Sequence, residues 1–198
     1  MEILDPSIEP YEQQTRKTLS TEYRLDDTSP RQVFDALLNI IALANKSDII
    51  KRNIFYRLPI SELEDRERKA AEDLQELDDA VSRFLVGLQP GVEQTPNLDL
   101  LHAIHGKMSE LGEMAEMILT KFIEGKPLDL VNLAEEVGDD AFYTDIFIRA
   151  SGLSYEQIKV QNLNKLFKKR YKQGFTTEDA VNRNLDEERK ELESHHAA

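Results

Sequence analysis

The sequence has no cysteine, which excludes disulfides, thiolate metal sites and a cysteine nucleophile. Glycine is scarce, at 8 of 198 residues, and no convincing run alternates apolar and polar residues, so the usual signs of β-structure are missing. Basic residues are outnumbered 25 to 38 by acidic ones, for a net charge of −13. General binding to duplex nucleic acid needs a basic footprint that replaces counterions, and this chain lacks one. A small anionic substrate stays open, because a divalent cation or a local Lys/Arg cluster inverts the field at one site. No apolar run reaches spanning length, and Met1 to Asp5 is neither basic nor followed by an apolar stretch. The expectation is a soluble, cytoplasmic protein without a membrane partner.

What is present reads as helix. Periodicity predicts helices at 9–24, 30–45, 47–57, 60–88, 97–124, 128–151, 154–170 and 177–193, with Gln89 to Pro96 as a loop. The segment 97–124 carries a seam of Leu101, Ile104, Met108, Leu111, Ala115, Ile118 and Phe122, the 3-4 spacing of a bundle helix.

Two short acidic words stand on these helices, Glu110-Leu-Gly-Glu113 and Glu136-Val-Gly-Asp139. Carboxylates three residues apart point from nearly one face of a helix. Between the words, Gly125 suits a helix end and Pro127 the first turn of the next helix, so an antiparallel pair is expected. On the seam alone, Glu110 and Glu113 point away from the core, and a solvated acidic face explains them. Against that, Met114 and Met117 make the first helix apolar on a second side, and the second turns apolar nearly all round at Ala141, Phe142, Tyr143, Ile146, Phe147 and Ile148. Inward carboxylates are costly without a metal or basic partners. Hard oxygen ligands in this number suit Mg²⁺ or Mn²⁺, and those ions suit phosphate chemistry.

Further on, Lys165, Lys168, Lys169, Arg170 and Lys172 concentrate positive charge in an acidic chain. They either complement the end of a helix dipole or clamp a polyphosphate, with Lys as point charge and Arg as a two-toothed fork. His102 and His105 lack the Glu-x-x-His word of a di-iron bundle, which favours hydrogen-bonding or interface roles. His195 and His196 fall in a short polar tail, and Thr176 with Asp179 resembles a helix cap. No P-loop, glycine-rich fingerprint or nucleophile elbow occurs. An enzyme with this sequence would use metal-activated water.

The run from His102 to Glu124, then Leu133-Ala-Glu-Glu-Val-Gly-Asp-Asp-Ala-Phe-Tyr143, then Asn162 to Phe175, resembles the MazG-like all-α nucleoside triphosphate pyrophosphohydrolases. Their pattern is ExxE, a spacer, ExxD, then a helix with Asn, Lys and Arg. Gly174 to Arg189 also resembles the tail of many stand-alone members, and Tyr11 to Thr18 fits a first core helix. The resemblance implies an all-α fold with a four-helix-bundle catalytic core. Residues 1–24 would supply its N-terminal helix, 96–175 the core, and 176–198 a C-terminal helix and tail. Residues 25–95 have no counterpart in the minimal pattern and read as a helical insertion.

By the same resemblance, Glu110, Glu113, Glu136 and Asp139 would bind Mg²⁺, with Mn²⁺ as a possible substitute, and Glu135 or Glu116 would orient the attacking water. Asn162 and Lys165 would meet ribose or phosphate, and Lys169 or Arg170 would complete the clamp, although this basic helix is one residue longer than the usual Lys-to-Arg spacing. Lys165 and Arg170 would neutralise charge developing in the transition state. The implied reaction converts a nucleoside triphosphate and water to the monophosphate and pyrophosphate, in a homodimer or higher homo-oligomer. Two alternatives stand beside it: a phosphoribosyl-ATP pyrophosphohydrolase using the same acids, and a non-catalytic acidic helical interaction protein.

Overall fold

The computed structural model describes residues 28–87 and 97–193, and every regular element among them is helical. These are α1 (Pro30–Tyr56), α2 (Ile60–Gly87), α3 (Leu98–Glu124), α4 (Leu130–Ala150), α5 (Tyr155–Lys165), α6 (Thr177–Val181) and α7 (Leu185–Glu193), with a wider π-turn at Leu166–Arg170 after α5. None of the described helices is long and apolar enough to cross a membrane. The described residues fall into two compact units, one of 97–158 and one of 28–87 with 159–193.

The first unit is built on an α3–α4 hairpin. Asn97 caps α3 by accepting from the Leu100 amide at 3.1 Å. Gly125 ends it in the left-handed region, at φ +65, where a glycine carries no Cβ penalty. Asp129 then caps α4, accepting from the amides of Val131 and Asn132. The helices run antiparallel. Gly106 lies against the Tyr143 ring, Lys107 donates to Asp140 Oδ1 and Thr144 Oγ1 at 2.5 and 2.6 Å, and the Asn132 amide reaches Met117 Sδ at 3.0 Å. Among the described residues of this unit, Ala103 and Ile146 are the buried apolar ones.

The bundle seam is covered only along its first half. Leu101, Ile104 and Met108 are half-buried, whereas Leu111, Ala115, Ile118 and Phe122 are exposed, Phe122 by 80%.

In the second unit α1 and α2 form another helical pair. Ser29 and Gln32 make a reciprocal capping box at the start of α1. Arg31 reaches across to Asp78 at 2.6 Å and Ser82 at 3.1 Å, and the Phe34 and Phe84 rings meet edge to face. The same unit holds the π-turn, α6 and α7, with Leu58 and Ala180 buried.

Three predicted boundaries differ. The helices expected at 30–45 and 47–57 are one continuous α1, within which Asp48 pairs with Lys51 and Arg52. The expected 154–170 helix keeps α-geometry only to Lys165. The expected 177–193 helix is two, since Asn182 leaves helical geometry and Asn184 caps α7 at the Glu187 amide. The segment 9–24, the loop Gln89 to Pro96, His195 and His196 lie outside the described residues.

Candidate metal centre

Helical spacing brings both acidic words to the α3–α4 contact. Glu110 and Glu136 point into it and are 7% and 5% exposed; Glu113, one turn on from Glu110, lies at its edge and is exposed. One carboxylate oxygen from each of these three lies within 4.8 Å of the others. Asp139 is outside that set, yet close enough for its charge to act on Glu113.

The cluster resists ionisation. Glu136 is pushed up from the ordinary carboxylate range by a hydrogen bond with Glu110, by desolvation and by the charges of Glu110 and Glu135. Glu113 is pushed up by the charge of Glu136, by desolvation and a hydrogen bond with Glu136, then by Asp139 and Glu116. Like charges at this range disfavour joint ionisation. Among the described residues no Lys or Arg pairs with Glu110, Glu113 or Glu136, and the nearby Lys107 is spent on Asp140. A hard divalent cation suits an all-carboxylate donor set of this kind.

Glu116 and Glu135 are exposed, one on each helix. From Glu113 and Glu116 an open cleft of about 430 Å³ runs to the hairpin turn, past Thr120, Lys121, Lys126 and Asn132. That volume falls in the range of small-ligand sites.

The predicted basic residues belong to the second unit. Asn162 is exposed on α5, and Lys165 is half-buried at its end. Burial, chiefly, and then the charge of Arg170 hold Lys165 below the usual lysine range. Lys168 and Lys169 both face Glu191, at 3.3 and 3.5 Å. Arg170 is held side-on by the buried Glu188, Nε to Oε1 at 2.8 Å and Nη2 to Oε2 at 2.5 Å.

Residue spacing puts Tyr143 on the face of Glu136 and Asp139 but gives no role to Arg183 or Glu188. Tyr143 packs on Gly106 and edge-on to His102, and burial and the charges of Glu110 and Asp139 push its phenol up. Its place one turn beyond Asp139 was the available signal. Arg183 and Glu188 join Arg170 in one network, and pairing over 18 residues leaves no periodic trace.

No family model, no curated protein and no solved structure matches the chain.

Proposed function

We propose that the protein is a Mg²⁺-dependent nucleoside triphosphate pyrophosphohydrolase with a MazG-like four-helix core. The observation that carries this reading is the convergence of Glu110, Glu113 and Glu136, two of them buried, without a basic partner among the described residues. Glu110, Glu113 and Glu136 would hold the ion, with Asp139 beside them. When bound, Mg²⁺ supplies Lewis-acid polarisation of a phosphate oxygen. Glu116 and Glu135 flank the three acids and are open to solvent, so either can accept a proton from a water placed there. The adjoining cleft gives room for the rest of a nucleotide. In this reading Asn162, Lys165, Lys169 and Arg170, all of the second unit, would be the phosphate-binding residues, as the resemblance implies.

The exposed stripe of Leu111, Ala115, Ile118 and Phe122 supports homo-oligomerisation. Apolar residues at this spacing on one helix are the usual material of a bundle interface, and a second hairpin laid on them would complete four helices. Sedimentation of the intact chain tests this: a monomer at micromolar concentration contradicts it.

Hydrolysis is tested by incubating the chain with Mg²⁺ and each of the eight common ribo- and deoxyribonucleoside triphosphates, and with phosphoribosyl-ATP, with detection of pyrophosphate. Turnover of at least one, lost in Glu113→Gln, is the expected result. Turnover of phosphoribosyl-ATP alone would place the activity with that substrate, and no turnover of any would leave a non-catalytic helical protein.

A further inference from the structure

The anomaly in the second unit is a surplus of cations around one buried acid. Arg170, the last residue of the π-turn, and Arg183, in the break between α6 and α7, both bind Glu188 of α7. Arg170 binds it at 2.8 and 2.5 Å, and Arg183 at 3.4 Å through Nε and 2.8 Å through Nη2. Glu188 is 4% exposed, so its two oxygens are taken by the two guanidinium groups. Each arginine uses Nε and Nη2 on this carboxylate, and neither turns Nη1 to it. Lys165 stands close enough for both arginines to depress its proton affinity. Two guanidinium groups thus share one carboxylate, with the Lys165 charge acting on all three. A structural staple needs one arginine; a second arginine and a lysine leave uncompensated charge that suits a multiply charged anion.

We propose that Arg183 is the second arm of a polyphosphate-binding fork whose first arm is Arg170, with Lys165 as the third cation and Glu188 as the positioning residue that sets the two guanidinium groups side by side. The class of ligand rests on the pyrophosphohydrolase reading; the fork itself does not need the metal centre. Glu188 holds both planes in fixed orientation, so less side-chain freedom is lost when an anion binds. A chain of phosphates spans two forks where a single orthophosphate fills one, so affinity should rise with phosphate number.

The test is calorimetric titration of the full chain with inorganic tripolyphosphate and with orthophosphate in EDTA. Tripolyphosphate should bind at least tenfold more tightly than orthophosphate, and Arg183→Gln and Lys165→Gln should each weaken it by about tenfold, with Lys69→Gln, on the exposed face of α2, unchanged. If Arg183→Gln fails to melt cooperatively, Arg183→Lys takes its place: it keeps the charge, loses the fork and should weaken binding severalfold. Absence of binding by the unsubstituted chain, or affinities unchanged in the Arg183 and Lys165 variants, overturns the fork. Binding in EDTA from a chain that hydrolyses no nucleotide would keep the fork and overturn the hydrolase, so the two failures are distinct.

Discussion

Gly106 lies so close to Tyr143 that a Cβ on it would stand 2.2 Å from ring atom Cε1. Tyr143 in turn lies within electrostatic reach of Glu110 and Asp139, so this tight α3–α4 contact adjoins the acidic cluster. Gly106→Ala gains about 1 kcal/mol of helix propensity but forces an aromatic ring out of a packed contact, at about 1–3 kcal/mol. The second effect should win. A lower Tm by thermal melting is the expected result, with weaker Mg²⁺ stabilisation; an unchanged Tm would mean that the hairpin yields freely here.

The glycines inside the acidic words behave oppositely. A Cβ on Gly112 or Gly138 meets nothing within 4 Å, so alanine at either should stabilise the metal-free chain by about 0.5–1 kcal/mol. A loss of nucleotide turnover alongside a raised Tm would show that ligand or partner uses that space. A lowered Tm would contradict the open surroundings of both positions.

Metal-free stability should carry the cluster's signature in its pH dependence. Glu136 and Glu113 have raised pKa values when folded, so the folded chain holds their protons more tightly than the unfolded one. Their cost is absent below the ordinary carboxylate pKa and grows as pH rises through the raised values. Glu136→Gln mimics the protonated acid. In EDTA its Tm should match that of the unsubstituted chain near pH 4 and exceed it at pH 7, at about the ordinary carboxylate boundary and well above it. Mg²⁺ at pH 7 should raise the Tm of the unsubstituted chain alone, because only a native-state ligand stabilises. Equal Mg²⁺ stabilisation of both would remove Glu136 from the metal centre.

Glu188 shifts the other way. Its pKa is lowered to about 2, first by the hydrogen bond from Arg170, then by Arg183, against the penalty of burial. A depressed carboxylate contributes stability that is present above its unfolded pKa and lost as pH falls towards the folded value. Denaturant titrations between about pH 5 and pH 2 should therefore show a loss on the order of 2–3 kcal/mol that Glu188→Gln lacks. The same acid limb in both chains would mean that the Arg170–Glu188–Arg183 network adds nothing to folding.

Much of the α3–α4 hairpin was legible because local chemistry wrote it: Gly125 stops one helix, Pro127 precedes the next, and two acidic words at helical spacing meet where two apolar sides imply burial. The convergence of Glu110, Glu113 and Glu136 follows from those phases. Three features escaped for different reasons. The polar run Asn45-Lys46-Ser47-Asp48 looks like a boundary, but its acid is used in ion pairs one turn ahead within α1. The seam from Leu111 to Phe122 predicts burial, and periodicity cannot say that the covering surface is absent from the same hairpin. Arg183 and Glu188 were missed because a pair formed across a helix break depends on how Asn184 restarts α7, which residue spacing does not encode.

The bond that breaks separates the proposed activity from an ordinary phosphatase. In the proposed activity Glu110, Glu113 and Glu136 would hold an ion that supplies Lewis-acid polarisation of a phosphate oxygen, and attack at the α-phosphorus would release pyrophosphate as one unit. Glu116 and Glu135 are exposed, and in the proposed reaction the incoming oxygen would come from water. Run in ¹⁸O-water at low conversion, the reaction should place label in the nucleoside monophosphate and none in pyrophosphate, as read by mass spectrometry. Attack at the γ-phosphorus would give labelled orthophosphate and an unlabelled diphosphate. Attack at the β-phosphorus would put the label in pyrophosphate instead. Either pattern would overturn the assignment of the scissile bond while leaving Glu110, Glu113 and Glu136 as metal ligands, because turnover lost in Glu113→Gln reports on the ion and the label reports on the phosphorus attacked.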